Sequence, residues 1–224
     1  MIPLRDEIPT RRTPVVNYLL ITVNVLVFIL EVAAGDSQEA MFNRYAMIPA
    51  HFTDGVSLGD IGTIFSSMFM HAGLLHIGGN MLYLWIFGDN VEDAMGHGKY
   101  LAFYLIGGVV ASVTHILSDT SSTLPTVGAS GAIAAVLGAY LVLYPYSRVH
   151  TAIPVGIFLP ITVVPASVIL GLWFVMQLFD GVLALGGADI GGVAVWAHVG
   201  GFIFGAVMAM PLASGRRVES TRTW

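Results

Sequence analysis

Residues 126–146 read TVGASGAIAAVLGAYLVLYPY and contain no Asp, Glu, Lys or Arg. An apolar run of about 20 residues is long enough to cross roughly 30 Å of hydrocarbon as an α-helix. Five further apolar runs of similar length accompany it. The six predicted spans cover residues 15–34, 69–88, 100–117, 126–146, 164–185 and 193–212. The sequence therefore predicts an all-α polytopic membrane protein with a single bundle of six transmembrane helices at residues 15–212.

The composition of the chain narrows its class further. Of 224 residues, 56% are hydrophobic and 10% charged, and the mean hydropathy is +0.80. About a quarter of an average soluble domain is charged, so these figures exclude a disordered chain, a nucleic-acid-binding protein and a water-soluble globule. The chain has no cysteine, which excludes disulfides, thiolate catalysis and zinc-thiolate sites. No residue pattern predicts a metal site or another cofactor.

The basic residues predict the orientation of the bundle. Eight of the nine Lys and Arg residues fall on one side of the predicted spans: Arg5, Arg11, Arg12, Lys99, Arg148, Arg216, Arg217 and Arg222. Only Arg44 falls on the other side, and basic residues collect on the cytoplasmic side of membrane proteins. We therefore expect cytoplasmic tails at residues 1–14 and 213–224 in a multi-pass membrane protein.

Three connecting segments have distinctive sequences. The outside connection at residues 35–68 is long and ends in an apolar stretch, so we expect it to fold against the bundle at the membrane surface. Pro154, Pro160 and Pro165 precede the fifth span and predict a broken or re-entrant approach. The polar N-terminal segment has no cleavage site closely after the first apolar run, so we expect that span to be retained.

Four polar side chains are predicted at one depth of the membrane. With both termini inside, the second, fourth and sixth spans all run from outside to inside. His76 and Asn80 lie early in the second span, Ser130 early in the fourth and His198 early in the sixth. Strongly polar residues deep in a span are costly and are candidates for function.

Small residues follow two of these polar positions at helical spacing. Ser130 is followed by Ala134 and Gly138, and His198 by Gly201 and Gly205. Such stripes let two membrane helices approach closely. If the fourth and sixth spans pack along them, Ser130 and His198 come within hydrogen-bonding range.

That approach would suit nucleophilic catalysis. A neutral His198 imidazole could take the serine proton and later protonate a leaving amine. His76 and Asn80 share a helix face and could donate hydrogen bonds to a developing oxyanion. Gly128 and Gly131, on either side of the serine, would leave backbone N–H groups accessible to a substrate.

Each of these residues also has an ordinary structural interpretation. A single Ser, His or Asn in a membrane helix usually packs or forms a hydrogen bond between helices, and glycine stripes are common at helix contacts. The occurrence of all four polar residues at one depth favours a site. The remaining polar residues of the spans are interpreted as structural or interfacial: Asn17, Asn24, Glu31, His71 and His115.

Three segments together resemble the signature motifs of the rhomboid family of intramembrane serine proteases. They are HIGGN at residues 76–80, GASGA at 128–132 and AHVGG at 197–201. FGDNVED at 87–93, followed by Gly96, is similar to a connection in the same family. The resemblance implies a six-helix rhomboid fold of the bacterial type.

The resemblance also implies an activity and the residues that perform it. Ser130 and His198 would form a catalytic dyad, and His76, Asn80 and the backbone N–H of Ser130 would form an oxyanion hole. The substrates would be transmembrane segments of other proteins, cleaved near small and helix-destabilising residues.

The sequence departs from the family pattern at two places. Gly62 and Thr63 stand where the family often has a Trp-Arg pair in the first outside loop. Ala134 stands where an aromatic residue often packs under the catalytic histidine. The first departure leaves the anchoring of the loop open, and the second leaves open how His198 is oriented.

Other functions are compatible with a polar site inside such a bundle. One is a proteolytically inactive rhomboid-like protein that binds membrane clients, although such a protein would not need Ser130, His198 and Asn80 together. Another is a small transporter, which no intramembrane carboxylate pair supports. A serine-histidine-aspartate triad would have to recruit Asp180 or Asp189 from the last outside connection, and we interpret both as solvated loop charges.

Overall fold

A computed structural model describes residues 1–53, 55–156, 158–186 and 193–213. Its helices are α1 (Val15–Ala33), α2 (Gln38–Tyr45), α3 (Leu58–Ser67), α4 (Leu74–Met95), α5 (His97–Ser118), α6 (Ser130–Leu143), α7 (Ala166–Leu185) and α8 (Val195–Leu212). Its strands are β1 (Ile2–Asp6), β2 (Arg148–Ala152) and β3 (Ile161–Pro165). The protein is therefore mostly helical, as the sequence predicts.

Four of the described helices are long and apolar enough to cross a membrane: α1, α5, α7 and α8. The other two predicted spans correspond to α4, which has 22 residues, and α6, which has 14. Helix α4 begins five residues later than the predicted span and continues to Met95, while α6 begins only at Ser130. The count of six membrane-crossing helices stays a prediction.

Helices α6 and α8 form the centre of the bundle. Every residue of α6 from Gly131 to Tyr140 is buried, and α6 makes its most extensive contact with α8. Polar side chains join the surrounding helices. Asn17 on α1 donates to Leu84 O of α4 at 2.9 Å and accepts from Tyr100 Oη of α5 at 2.8 Å, which agrees with its structural interpretation.

A buried carboxylate ties the start of α1 to the end of α4. Glu92 accepts the backbone N–H groups of Val16 at 3.0 Å and Asn17 at 2.7 Å. The first N–H groups of a helix have no acceptor within the helix, so Glu92 caps α1 from another part of the chain. Its third partner is His97 Nδ1 at 2.5 Å.

A three-stranded antiparallel sheet, in the order β1-β2-β3, contradicts the all-α prediction. Strand β1 comes from the predicted N-terminal tail and pairs with β2, with Ile2 opposite Ala152. The prolines before the fifth span belong to a hairpin of β2 and β3, in which Ile153 N donates to Pro160 O at 3.0 Å. Pro165 ends β3 directly before α7. The approach is therefore a sheet and not a re-entrant helix.

The long connection before α4 folds onto the helices through α2 and α3. Ser66 Oγ donates to Tyr45 O at 2.6 Å, and Met47, Ile64 and Ile116 form a small apolar cluster. Where the family often has a Trp-Arg pair, Gly62 and Thr63 lie within α3, and Thr63 Oγ1 donates to Asp60 O at 2.7 Å. Packing of α3 and capping of its first turn by Ser57 hold this connection in place.

Candidate active site

Ser130 is the first residue of α6, and the segment that precedes the helix is extended. Thr126 exchanges two backbone hydrogen bonds with Met47, of 2.8 and 3.1 Å. Gly128 N then donates to Ser67 O at 2.9 Å. This extended backbone delays the start of α6. As the first helical residue, Ser130 has a backbone N–H with no acceptor inside its own helix.

Gly128 has a different role from the predicted helix packing. It lies in the extended segment, outside α6, with φ +133°. A Cβ at this position would lie 2.8 Å from Nε2 of His76. Glycine is therefore needed both for its left-handed backbone and for the close approach of the His76 ring.

His198 and Ser130 meet between α8 and α6. His198 lies in the first turn of α8, and its Nε2 is 2.7 Å from Oγ of Ser130. The His198 residue is 9% exposed. An imidazole at this distance can exchange a proton with the hydroxyl.

Asn80 and His76 face the same cavity from α4. The cavity has a volume of about 540 Å³, and its lining includes Ser130, His198, His76 and Asn80. The side-chain Nδ2 of Asn80 is buried and has no hydrogen-bond partner among the described residues. A buried donor without a partner is costly. This donor is thus available for an acceptor that enters the cavity.

The glycines of α8 contact the backbone of α6. A Cβ on Gly201 would overlap the carbonyl oxygen of Gly131, and one on Gly205 would overlap that of Ala135. A Cβ on Gly138 of α6 would overlap the carbonyl oxygen of Phe202. The predicted stripe on α6 was Ser130, Ala134 and Gly138. Ala134 also faces α8, since a Cβ on Gly201 would lie 3.4 Å from its Cβ, and Gly131 and Ala135 form a second contacting row beside the predicted one.

Two residues of α7 contact His198, and the sequence analysis missed both. The side-chain amide of Gln177 forms a hydrogen bond with Nδ1 of His198, and both residues are buried. The ring centroid of Trp173 lies 5.7 Å from that of His198. Trp173 and Gln177 are four residues apart, hence on one helix face. An amide within an apolar span was the signal that could have identified Gln177.

Contacts with α7 orient His198 in this chain, in which position 134 is alanine. Gln177 holds Nδ1, and Trp173 lies against the ring. Asp180 was predicted in the last outside connection, but it lies one turn after Gln177 within α7. Asp189 lies outside the described residues.

Three other polar residues contact the elements that form the site. Glu31, buried in α1, accepts the backbone N–H of His71 at 3.1 Å. The His71 ring is fully buried, with its centroid 5.1 Å from that of His76 in an edge-to-face arrangement. His115 Nε2 is 3.2 Å from Thr126 Oγ1 in the segment that leads to Ser130. These contacts agree with the structural interpretation of all three residues.

Comparison with known proteins identifies the family. The family described as Rhomboid domain matches residues 59–215. That region contains all three sequence motifs, helices α4 to α8 and all of α3 except its first residue. The chain belongs to the rhomboid family. The resemblance inferred from the motifs is confirmed, and with it a multi-pass membrane protein.

Relatives of this rhomboid chain occur in bacteria and in mitochondria. Its sequence is 28% identical to that of rhomboid protease GluP of Bacillus subtilis over 210 residues. The matched region covers 92% of this chain and 38% of that protein. The chain is 34% identical over 136 residues to the mitochondrial presenilin-associated rhomboid-like protein A of Danio rerio, covering 58% and 35%. For the mitochondrial presenilin-associated rhomboid-like protein of Homo sapiens the identity is 30% over 188 residues, covering 83% and 45%. The chain spans less than half the length of each.

Proposed function

We propose that this rhomboid chain is an intramembrane serine endopeptidase with a Ser130–His198 dyad. The observation that carries the proposal is the 2.7 Å separation between Ser130 Oγ and His198 Nε2 in the wall of a large cavity. Family membership supports it, and so does the name of one relative, which is a protease.

In the proposed reaction, His198 is first a base and then an acid. Nε2 takes the hydroxyl proton of Ser130 while Oγ attacks the carbonyl carbon of the scissile peptide bond. The imidazolium gives this proton to the leaving nitrogen as the C–N bond breaks, which leaves an acyl group on Oγ. Water, deprotonated by the same Nε2, then attacks the ester carbon and restores the free hydroxyl.

The negative oxygen of the tetrahedral intermediate needs hydrogen-bond donors. Asn80 offers a buried amide nitrogen without a partner, and Ser130 offers the free N–H of a helix N-terminus. His76 lines the same cavity and can donate from its Nε2 when that atom carries the proton. Donors fixed in advance in a water-poor site stabilise the transition state strongly.

Gln177 selects the tautomer of His198 in this mechanism. For Nε2 to accept the serine proton, Nδ1 must carry the ring hydrogen and donate it to an acceptor. In the structure the amide nitrogen of Gln177 is the atom beside Nδ1, an arrangement that fixes the opposite tautomer and removes the base. The proposed mechanism therefore requires the amide group to turn over, so that its oxygen accepts from Nδ1. We therefore assign Gln177 as the positioning residue of a dyad that uses no carboxylate.

The proposed substrates are transmembrane segments of other proteins with small side chains at the cleaved bond. A second cavity of about 30 Å³ lies beside Ser130, and its lining includes Gly108, Ala111, Gly131 and Ala197. This cavity is much smaller than the 540 Å³ cavity, and the residues named in its lining are all glycine or alanine. It therefore favours a small substrate side chain over an aromatic one.

The proposal includes a location and an orientation. Arg5, Arg11 and Arg148 lie on segments that adjoin the sheet, at the end of the bundle opposite Ser130. Basic residues favour the cytoplasmic side. We propose a bacterial inner membrane, with both termini cytoplasmic and the Ser130 site toward the outside. The match to a bacterial relative over 92% of the chain supports this choice.

Cleavage of a model transmembrane substrate in vesicles tests the proposed function. Ser130→Ala and His198→Ala should each abolish detectable cleavage, and the double variant should be no worse, because the two residues act as one unit. A serine-directed electrophile should add to Ser130 Oγ, as located by mass spectrometry. Ser118→Ala, at the C-terminal end of α5, where the hydroxyl donates to His115 O at 2.7 Å, is the matched control and should remain active.

Two results would contradict the proposal. Substantial cleavage by a folded Ser130→Ala variant would exclude Ser130 as the nucleophile. A folded wild-type protein that binds the substrate, yet neither cleaves it nor forms the adduct, would indicate the inactive client-binding function instead.

A further inference from the structure

The turn between β2 and β3 presents apolar side chains on the protein surface. Val155 and Phe158 close it with two backbone hydrogen bonds of 2.9 and 3.1 Å. Gly156 supplies the positive φ of +59° that this tight turn requires. Val155, Phe158, Leu159 and Ile161 are 58%, 70%, 61% and 63% exposed. Contiguous exposed apolar side chains mark an interaction site.

The base of this hairpin is polar, in contrast to its tip. Arg148, at the start of β2, lies 3.6 Å from Glu7, and His150 Nε2 lies 2.8 Å from the same carboxylate. Arg5 on the neighbouring strand approaches His150 at 3.5 Å. Charge is therefore confined to one end of the hairpin. Segments that lie in a membrane interface have such an apolar part and a basic part.

Strand β3 connects the tip to α7 through apolar residues. Only Pro165 separates Val164 of β3 from the first residue of α7. The sequence has no Asp, Glu, Lys or Arg between Arg148 and Asp180. Exposed apolar residues of α7, such as Val168 and Leu172, follow directly along this span candidate. The chain therefore runs from the tip into α7 without a charged residue, and Arg148 lies opposite Pro165 on the neighbouring strand.

We propose that the tip formed by Val155, Phe158 and Leu159 inserts into the membrane leaflet at the end of the bundle opposite Ser130. The partner is lipid: acyl chains cover the tip, while Arg5 and Arg148 remain at the level of the headgroups, where anionic lipids attract them. The hairpin thereby anchors the first residue of α7, the helix that supplies Gln177. This inference is independent of the proposed protease function.

Fluorescence at single cysteines tests the insertion, since the native chain has none. Phe158→Cys and Val155→Cys are labelled with an environment-sensitive fluorophore in the full-length protein. The protein is reconstituted in vesicles of phosphatidylcholine and phosphatidylglycerol that contain acyl-chain spin labels. Leu172→Cys on α7 is the membrane control, and Glu7→Cys at the base of the hairpin is the surface control. Circular dichroism checks that every variant keeps the helical content of the native protein.

Insertion to about 5–10 Å, the usual depth of interfacial segments, should quench the labels at 155 and 158 nearly as strongly as the label at 172. Aqueous iodide should quench only the label at position 7. Iodide quenching at 155 and 158 equal to that at position 7 would overturn the proposal. The proposal would also be overturned if the labels lost their protection from iodide when the protein is diluted with lipid. That result would mean that a second copy of the protein, and not lipid, covers the tip.

Discussion

Helices α6 and α7 both contact α8, but they position the residues of the proposed site in different ways. Between α6 and α8, glycines bring backbone against backbone, and α6 is buried from Gly131 to Tyr140. Helix α7 faces outward along most of its length, and its buried described residues are few: Ala166, Ile169, Leu170, Gln177 and Gly181. It reaches His198 through the side chains of Gln177 and Trp173.

This difference predicts a hierarchy of sensitivity to mutation. The separation of Ser130 from His198 depends on backbone atoms that cannot move without shifting a whole helix. The orientation of the His198 ring depends on one neutral hydrogen bond and one ring contact from α7. Changes at the α6–α8 contact should therefore displace the reacting atoms, whereas changes on α7 should alter only the tautomer and the tilt of the imidazole.

After loss of Ser130 or His198 themselves, the largest effect is expected at the proposed oxyanion donor Asn80, which lies on neither helix pair. Asn80→Ala should lower kcat by about 100- to 1,000-fold, the usual loss for one fixed donor in a water-poor site. KM should change much less. Steady-state kinetics on a folded Asn80→Ala protein measure both constants. His76→Ala should behave in the same way, and wild-type turnover in both variants would reassign these residues to helix packing.

A glycine substitution in each helix tests the comparison directly. Gly201→Val should lower activity about 100-fold or more, because a displacement of roughly 1 Å between reacting groups has that effect. Gly171→Val on α7 is the matched control, since a Cβ there has no neighbour within 4 Å. Initial rates and thermal unfolding should be measured together. Equal activity in the two variants would mean that the α6–α8 contact does not set the site.

Substitution of Gln177 should have a smaller effect that is specific to protonation. Gln177→Leu should lower kcat about tenfold, since the loss of one buried hydrogen bond is worth about 1–2 kcal/mol. Gln177→Glu keeps the acceptor and adds a negative charge, which favours the protonated imidazole. Its pH–rate profile should recover activity at high pH and lose it at low pH.

Asp180→Asn is the control for this experiment. Asp180 lies one turn from Gln177, so the variant should keep near-normal activity. Loss of the orienting carboxylate in chymotrypsin-type triads lowers kcat about 10,000-fold. A loss of that size in a folded Asp180→Asn protein would replace the dyad with a triad.

The smallest effect on activity is expected at the sheet, the region farthest from Ser130. Burial raises the pKa of the Asp6 carboxyl to about 6, although a 2.5 Å hydrogen bond from Tyr140 opposes the shift. The folded state therefore binds this proton more tightly than the unfolded state. The resulting stability is present at low pH and is lost as the pH rises through about 6.

Thermal unfolding of the detergent-solubilised protein checks this pH dependence. The unfolding temperature of the wild-type protein should decrease as the pH is raised from 5 to 7. The Asp6→Asn variant retains an acceptor for Tyr140. Its unfolding temperature should decrease less over this pH range, and its cleavage activity should be unchanged. An identical fall in both proteins would exclude Asp6 as the cause.

Much of this site could be predicted from the sequence because membrane depth is a one-dimensional property. Hydropathy places His76, Asn80, Ser130 and His198 at similar depth, and the structure brings them to one cavity. The residue at which α6 begins could not be predicted from hydropathy. Thr126 lies in an apolar run, and its pairing with Met47, far away in the sequence, keeps it extended.

The sequence by itself determined the membrane class, the three motifs and thus the rhomboid family, because these depend on composition and on the order of residues. The tertiary structure decided which row of α6 meets Gly201 and Gly205, and that α7 brings Gln177 to Nδ1 of His198. It also decided that Ile2–Asp6 forms a strand with Arg148–Ala152. The physical reason is that helical periodicity defines the faces of an element, whereas the partner of each face depends on contacts between residues far apart in the chain.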